Sequence, residues 1–213
     1  GGSGVQRWLY FANNLVEIGY DVTVIDLLKY DKNSISHLFF HKNFKFIKGD
    51  ANNSNLIKKN IKKQNYIIPL AALVGAPLCE KFKKNAIYPT TNSGYGIGAK
   101  DKYCDENSPL NPISLYGTTK LQAESLVMTH KNSVAFRLAT VFGFSYRMRT
   151  DLLVNNFVKT AVDKKKLSIF EPHFRRNYVH IKDVIGSFMY AIENFNKLKN
   201  NIYNLGLSSA NLS

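Results

Sequence analysis

The chain has 213 residues, 45% of them hydrophobic, with a formal net charge of +14. That length and composition allow a sizeable core in one domain, or in one domain plus a small lobe, and exclude a disordered or fibrous protein. The longest apolar runs, such as IIPLAALVGAPL at 67–78 with its two prolines, fall short of a membrane span, and no leader-like segment opens the chain, so a cytoplasmic protein with no membrane partner is expected. The lysines lie in scattered clusters (KKNIKK, KFKK, NKLKNN) without an RNA-binding aromatic motif, a zinc finger or one basic stripe. Nucleic acid therefore ranks last as a partner, and an anionic small ligand ranks above it.

The chain opens on GGSG, where Gly1 and Gly4 are spaced as the start of a phosphate-cradling loop, but Arg7 stands where a third glycine would let helix and strand pack closely. WLYFANNLVEIG (8–19) reads as a helix and DVTVID (21–26) as a strand. Asp26 closes that strand 22 residues after Gly4, close to the spacing at which a carboxylate receives the ribose hydroxyls of NAD and disfavours the extra phosphate of NADP. Taken singly, it is equally an ordinary turn residue. FKFIKGD (44–50), NYIIPLAA (65–72), AIYPTTNS (86–93) and SVAFRLATVFG (133–143) read as further strands, and 54–63 and YGTTKLQAESLVMTH (116–130) as helices. This alternation predicts a doubly wound, parallel α/β sheet.

After residue 144 come a helix near 151–163, a short strand LSIF (167–170), the segment RRNYVHIKDV, a helix to about 195 and NIYNLG. The expected division is thus 1–145 for the sheet domain and 146–213 for a partial substrate lobe that returns to the core. Cys79 and Cys104 have no metal-ligand spacing and read as reduced thiols, with no metal site expected.

Two stretches carry chemistry. In SLYGTTK, Tyr116 and Lys120 are four residues apart at a helix start and point to the same side. A phenol titrates near pH ~10, and an adjacent ammonium favours its anion, bringing acid–base work into reach. The plain alternative is an aromatic ring packed on a lysine stem. YPTTNSGYG ends a strand in hydroxyls, with Thr90, Thr91 and Ser93 where a parallel sheet opens its ligand crevice.

With these residues in place, the chain resembles the extended short-chain dehydrogenase/reductase superfamily in its NAD-dependent epimerase/dehydratase branch, which acts on nucleotide sugars. YGTTK matches the Tyr-x-x-x-Lys pair, and Thr91, 25 residues before Tyr116, matches the catalytic serine or threonine. FIKGDANN matches the segment whose aspartate, here Asp50, holds the adenine end, with Ala51 supplying backbone contacts; PLAAL matches the strand end along the cofactor, through Leu70, Ala71 and Ala72. RLATVFG, containing Thr140, and RRNYVHIKDV, containing Arg176, match segments flanking the nicotinamide and the nucleotide diphosphate.

The resemblance implies a Rossmann-like fold and an NAD cofactor held by Gly1, Gly4, Asp26, Asp50, Ala51, Leu70, Ala71, Ala72, Tyr116 and Lys120. It implies catalysis by Thr91, Tyr116 and Lys120 and a nucleotide-sugar substrate met by Asn92, Ser93, Thr140 and Arg176, in a homodimer. Because Asn92 and Ser93 follow Thr91 where dehydratases carry an acid, epimerisation or simple oxidoreduction is expected ahead of 4,6-dehydration.

The chain departs from the family pattern in several places. The strand before the glycine loop is missing, so the sheet would lack its first strand; Pro69 replaces a frequent histidine; only Leu73–Ala86 link two strands; and the chain stops at NLGLSSANLS, inside the family's substrate lobe. A fragment or decayed copy is therefore expected, and the alternative function is a non-catalytic remnant or ligand-binding module.

Overall fold

The computed structural model describes residues 5–29, 33–70, 83–97, 103–145, 148–170, 175–207 and 211–212. Gly1, Gly4, Ala71, Ala72, Cys79 and most of the 73–86 link lie outside the described residues.

Helix α1 (Val5–Glu17) leads to β1 (Val22–Asp26), a 3-10 segment (Asn33–Phe40), β2 (Phe44–Lys48), α2 (Ser54–Ile61), β3 (Tyr66–Ile67) and β4 (Asn85–Thr91). A short 3-10 turn (Asn92–Tyr95) precedes α3 (Leu115–Met128), β5 (Ser133–Leu138), β6 (Thr140–Phe142), α4 (Leu153–Lys164), β7 (Arg176–His180), α5 (Ile181–Glu193), α6 (Phe195–Leu198), β8 (Asn201–Leu205) and β9 (Asn211–Leu212). Strands β3-β4-β5-β8 form one wholly parallel sheet, β1 and β2 a parallel pair, and β6-β7-β9 a third sheet in which only β9 is antiparallel. Among the described residues, no helix is long and apolar enough to cross a membrane.

Parallel strands are buried on both faces, so their side chains are apolar on both sides of the pleat. Ile87, Val134 and Phe136 join one core with Phe11 and Leu15 of α1 and Phe188 of α5. Their immediate neighbours Ala86, Tyr88 and Ala135 join a second core with Ile61 of α2 and Ala123 and Val127 of α3. A single-residue register slip would exchange the two layers.

The sheet is split. β1–β2 and β3–β4–β5–β8 are not hydrogen-bonded to each other, and a cavity of about 550 Å³ lies between them, lined by Val22 to Asp26 of β1, Tyr66 to Ile68, Leu9 and Phe11 of α1, and Ile192. Helix α1 spans the gap: Phe11 and Leu15 enter the main core, while Leu9 and Ala12 pack with Ile35 and Leu38 against Val22, Val24, Phe44 and Phe46.

Several boundaries differ from the sequence reading. The helix expected at 8–19 begins at Val5, placing Arg7 in its first turn. Of the strand expected at 65–72, the described residues up to Leu70 form a strand at Tyr66–Ile67, where β4 pairs with it. The run 133–143 is two strands: after β5 the Ala139 N–H bonds to the Leu205 carbonyl at 2.8 Å, and the chain passes to a new partner, β7. LSIF is not a strand, since no ladder partner meets it and Ile169 and Phe170 stay exposed. The hydroxyl-rich end of 86–93 leaves the strand at Thr91 and turns.

Phe188 is fully buried, and its ring lies 4.8 Å from Trp8, 5.7 Å from Phe11 and 5.1 Å from Phe136. Phe188→Ala is expected to destabilise the fold by about 3–5 kcal/mol, read as a lower denaturant midpoint; a change below ~1 kcal/mol would contradict this core assignment.

Candidate active site

The site is built where β4 ends and α3 begins. β4 carries Pro89, Thr90 and Thr91 in sequence, and β3 pairs with it only as far as Ala86, so Pro89 sits where β4 has one neighbour, as a residue without an N–H requires. Thr91 caps the following 3-10 turn: its Oγ1 accepts from the Ser93 N–H at 3.2 Å and donates to Ser93 Oγ at 3.1 Å. Thr91 is buried, Asn92 half-buried and Ser93 exposed.

Ser114 starts α3 by accepting the Gly117 N–H at 3.0 Å, the usual role of an N-cap serine. Gly117 is what lets this turn approach the Thr91 turn: a Cβ there would lie 3.1 Å from the Ser93 carbonyl oxygen and 3.1 Å from Pro112 Cβ. Tyr116 is 58% exposed and so open to a substrate. One helical turn later, Lys120 Nζ donates to the Pro89 carbonyl at 2.7 Å and lies 4.4 Å from the centre of the Tyr88 ring. The structure thus brings Thr91, Asn92, Ser93, Tyr116 and Lys120 to the junction of β4 and α3.

Burial pushes the Lys120 ammonium down to about 8, with the Glu124 carboxylate opposing. Burial pushes the Tyr88 phenol up, with the potential phenolate of Tyr116 and the Glu124 charge adding to it. Tyr88 therefore stays neutral and serves as a ring face for the lysine.

The other expected residues fall in three places. Asp26, Ala51, Pro69 and Leu70 line the cavity beside β1. Asp26 Oδ1 accepts the Leu28 N–H at 2.6 Å, while Oδ2 has no partner among the described residues. Asp50 is exposed, does not line this cavity, and accepts the Asn52 N–H at 2.8 Å. Thr140 is half-buried on β6 and Arg176 exposed at the start of β7.

A dinucleotide fits the donors and acceptors present. An open carboxylate oxygen at a strand end suits a ribose diol, and Ile25, Ile57, Ile67 and Leu70 give the cavity apolar walls for a base. At the end of β4, the Thr90 hydroxyl is buried without a partner among the described residues, next to Thr91.

The sequence reading missed a buried polar cluster directly behind these groups. Arg137 of β5 donates Nε to both Glu124 oxygens at 3.1 and 3.2 Å and Nη2 to Oε1 at 2.7 Å. Its Nη1 donates to Tyr95 OH at 2.8 Å and to the Glu106 carbonyl at 3.2 Å, and Tyr95 OH donates to Asn204 Oδ1 at 2.7 Å. Both charged side chains are 4% exposed. Burial opposes the Arg137 charge, but the bonds to Glu124 and Tyr95 outweigh it and raise its basicity. The signal was an arginine inside the apolar strand SVAFRLA, which a buried charge allows only with a partner.

The model of the NAD dependent epimerase/dehydratase family matches residues 76–206. Over 168 residues the chain is 30% identical to the bifunctional polymyxin resistance protein ArnA of Wigglesworthia glossinidia brevipalpis, a match covering 60% of this chain and 26% of that protein. Over 105 residues it is 33% identical to the uncharacterized UDP-glucose epimerase YtcB of Bacillus subtilis strain 168, covering 46% of this chain and 32% of that protein. The chain thus spans about a quarter to a third of the length of these two curated relatives. In fold it is similar to the crystal structure of dTDP-glucose 4,6-dehydratase from Bacillus anthracis str. Ames in complex with NAD, with a TM-score of 0.85 at 22% identity, over 97% of this chain and 73% of that one.

A lysine pushed down by burial costs stability while it is protonated in the fold, and that cost fades as pH rises from the folded value near 8 toward the unfolded 10.5. Lys120→Met is therefore expected to be more stable than the wild type at pH 7, on the order of 1–2 kcal/mol, in urea unfolding. The difference should shrink by pH 10; one that is constant with pH would contradict a depressed Lys120.

Proposed function

Because this chain belongs to the NAD-dependent epimerase/dehydratase family, we propose that it is a nucleotide-sugar epimerase, or a closely related oxidoreductase, that oxidises one sugar hydroxyl transiently. The observation that carries this reading is the Lys120 anchor: its bond to the Pro89 carbonyl ties the helix bearing Tyr116 to the strand ending in Thr91.

NAD, when bound, would supply a reversible hydride acceptor that is regenerated over the cycle. The chain's own residues do the rest. Tyr116, as phenolate, removes the proton from the sugar hydroxyl; Thr91 hydrogen-bonds the same oxygen; and the Lys120 ammonium favours the phenolate and binds the nicotinamide ribose. Asp26 would accept the adenosine ribose hydroxyls through its open oxygen, while Ala51, Leu70, Ala71 and Ala72 would line the cofactor, Asp50 would meet the adenine end from outside the cavity, and Gly1 and Gly4 would meet the pyrophosphate. Asn92, Ser93 and Thr140 contact the sugar, and the Arg176 guanidinium pairs with the nucleotide diphosphate.

Epimerisation is favoured over dehydration because Thr91 is followed by Asn92 and Ser93. Neither a carboxamide nor an aliphatic hydroxyl ionises near neutral pH, so neither serves as the general acid or base that elimination of water needs at the sugar. A second reading, a ligand-binding copy without turnover, is favoured by the split between β1 and β3.

Incubation with NAD and a panel of UDP- and dTDP-hexoses is expected to give an epimer without net NADH. Tyr116→Phe should lower kcat by about 10²-fold or more with NAD affinity within a few-fold of wild type. Absence of NAD binding at millimolar cofactor would overturn the enzyme reading, and a 4-keto-6-deoxy product would move the chain to the dehydratases. Asp26→Ala should weaken NAD binding about tenfold or more and narrow its preference over NADP; unchanged NAD affinity would remove Asp26 from the cofactor site.

A further inference from the structure

Glu124 follows Lys120 by four residues on α3, the spacing at which a lysine and a carboxylate on one helix meet. They do not pair: among the described residues Lys120 is in no ion pair, and the Glu124 carboxylate is held by three N–H bonds from Arg137. Glu124 is 3% exposed, so its charge needs a partner at all times. Two cations are within reach of it, and the planar guanidinium fork, further fixed by Tyr95 OH and the Glu106 carbonyl, is the better match. Lys120 is left to the Pro89 carbonyl and the Tyr88 ring.

We propose that Arg137 is a positioning residue: by occupying the Glu124 carboxylate, it keeps the Lys120 ammonium off that carboxylate and on the strand that ends in Thr91, one helical turn from Tyr116. The arrangement works by competition. Remove the guanidinium and the buried carboxylate turns to the nearest cation, which draws Lys120 along its helix and away from the Pro89 carbonyl. The titratable and charged groups facing Lys120 are Tyr88 from β4 and Tyr116 and Glu124 from its own helix, with Arg137 from β5 behind Glu124 and Tyr95 from the 3-10 turn behind Arg137. Glu124 is the carboxylate in this set, so its release is what changes the lysine's surroundings. The importance of this for turnover rests on the catalytic reading above; the positioning itself does not.

The test needs neither NAD nor substrate. Lysine amines are acetylated with trace acetic anhydride across a pH series, and the Lys120 peptide is read by mass spectrometry. The wild-type midpoint is expected at about 8. Arg137→Gln should raise it by about one unit or more as Glu124 takes up Lys120, and the double variant Glu124→Gln/Arg137→Gln should return it to within about half a unit of the wild type. A purely structural role would not be reversed by removing the second charge. Because Arg137→Gln strands a buried carboxylate, Arg137→Lys, which keeps the charge but not the fork, is measured beside it and should show a smaller rise. No rise in either folded single variant, or a double variant whose midpoint stays raised, would overturn the proposal. A raised midpoint in a protein without NAD-dependent turnover would remove the catalytic reading and leave this inference standing.

Discussion

A guanidinium sunk between two layers of helices must be answered by a carboxylate, and in this chain that requirement ties the site together. Arg137, next to last in β5, takes Glu124 from α3 and Tyr95 from the turn after β4, and through Tyr95 reaches Asn204 on β8. Two of these elements also carry or border the groups assigned to chemistry. α3 holds Tyr116 and Lys120, and the Tyr95 turn begins at Thr91. A buried pair of this kind is costly to break from one side, so the relative placement of helix and strand end is set by an interaction that has no freedom to shift.

The layers around the pair follow from the pleat. Alternate residues of β4 and β5 face α1 and α5 on one side and α2 and α3 on the other, which leaves the strand ends as the place where polar side chains accumulate. Thr91, Asn92 and Ser93 lie there because the strand stops there. The gap between β1 and β3 interrupts this order on the side where Asp26, Ala51 and Leu70 stand. Among the described residues the two halves of the site therefore differ in support: the half assigned to catalysis is braced by a continuous four-stranded sheet, and the half assigned to adenosine by the β1–β2 pair and α1.

Much of this was legible from residue order. Alternation of short apolar runs with helical periods marked the parallel sheet, and Tyr116, Lys120 and Thr91 stood out because their spacing has a mechanical meaning on a helix and at a strand end. What could not be read were partners set by register. LSIF has the pattern of a strand but no edge to join, and 133–143 changes neighbours at Ala139, which no local pattern announces. Asp50 looked like Asp26 in sequence yet stands outside the cavity that Asp26 lines. The Glu124–Arg137 pair was not read from the sequence, because it is joined across 13 residues by tertiary packing and not by helical spacing.

In the proposed reaction Tyr116, Lys120 and Thr91 support oxidation of a sugar carbon by hydride removal and return, and the fate of the carbon-bound hydrogen distinguishes this from exchange with solvent. A nucleotide hexose deuterated at every ring carbon is incubated with the protein and NAD in ordinary water, and the product is read by NMR. An epimer that keeps deuterium at the inverted carbon is expected, because the hydride never exchanges with solvent. Protium from water at that carbon, or no inversion with any hexose of the panel, would contradict it.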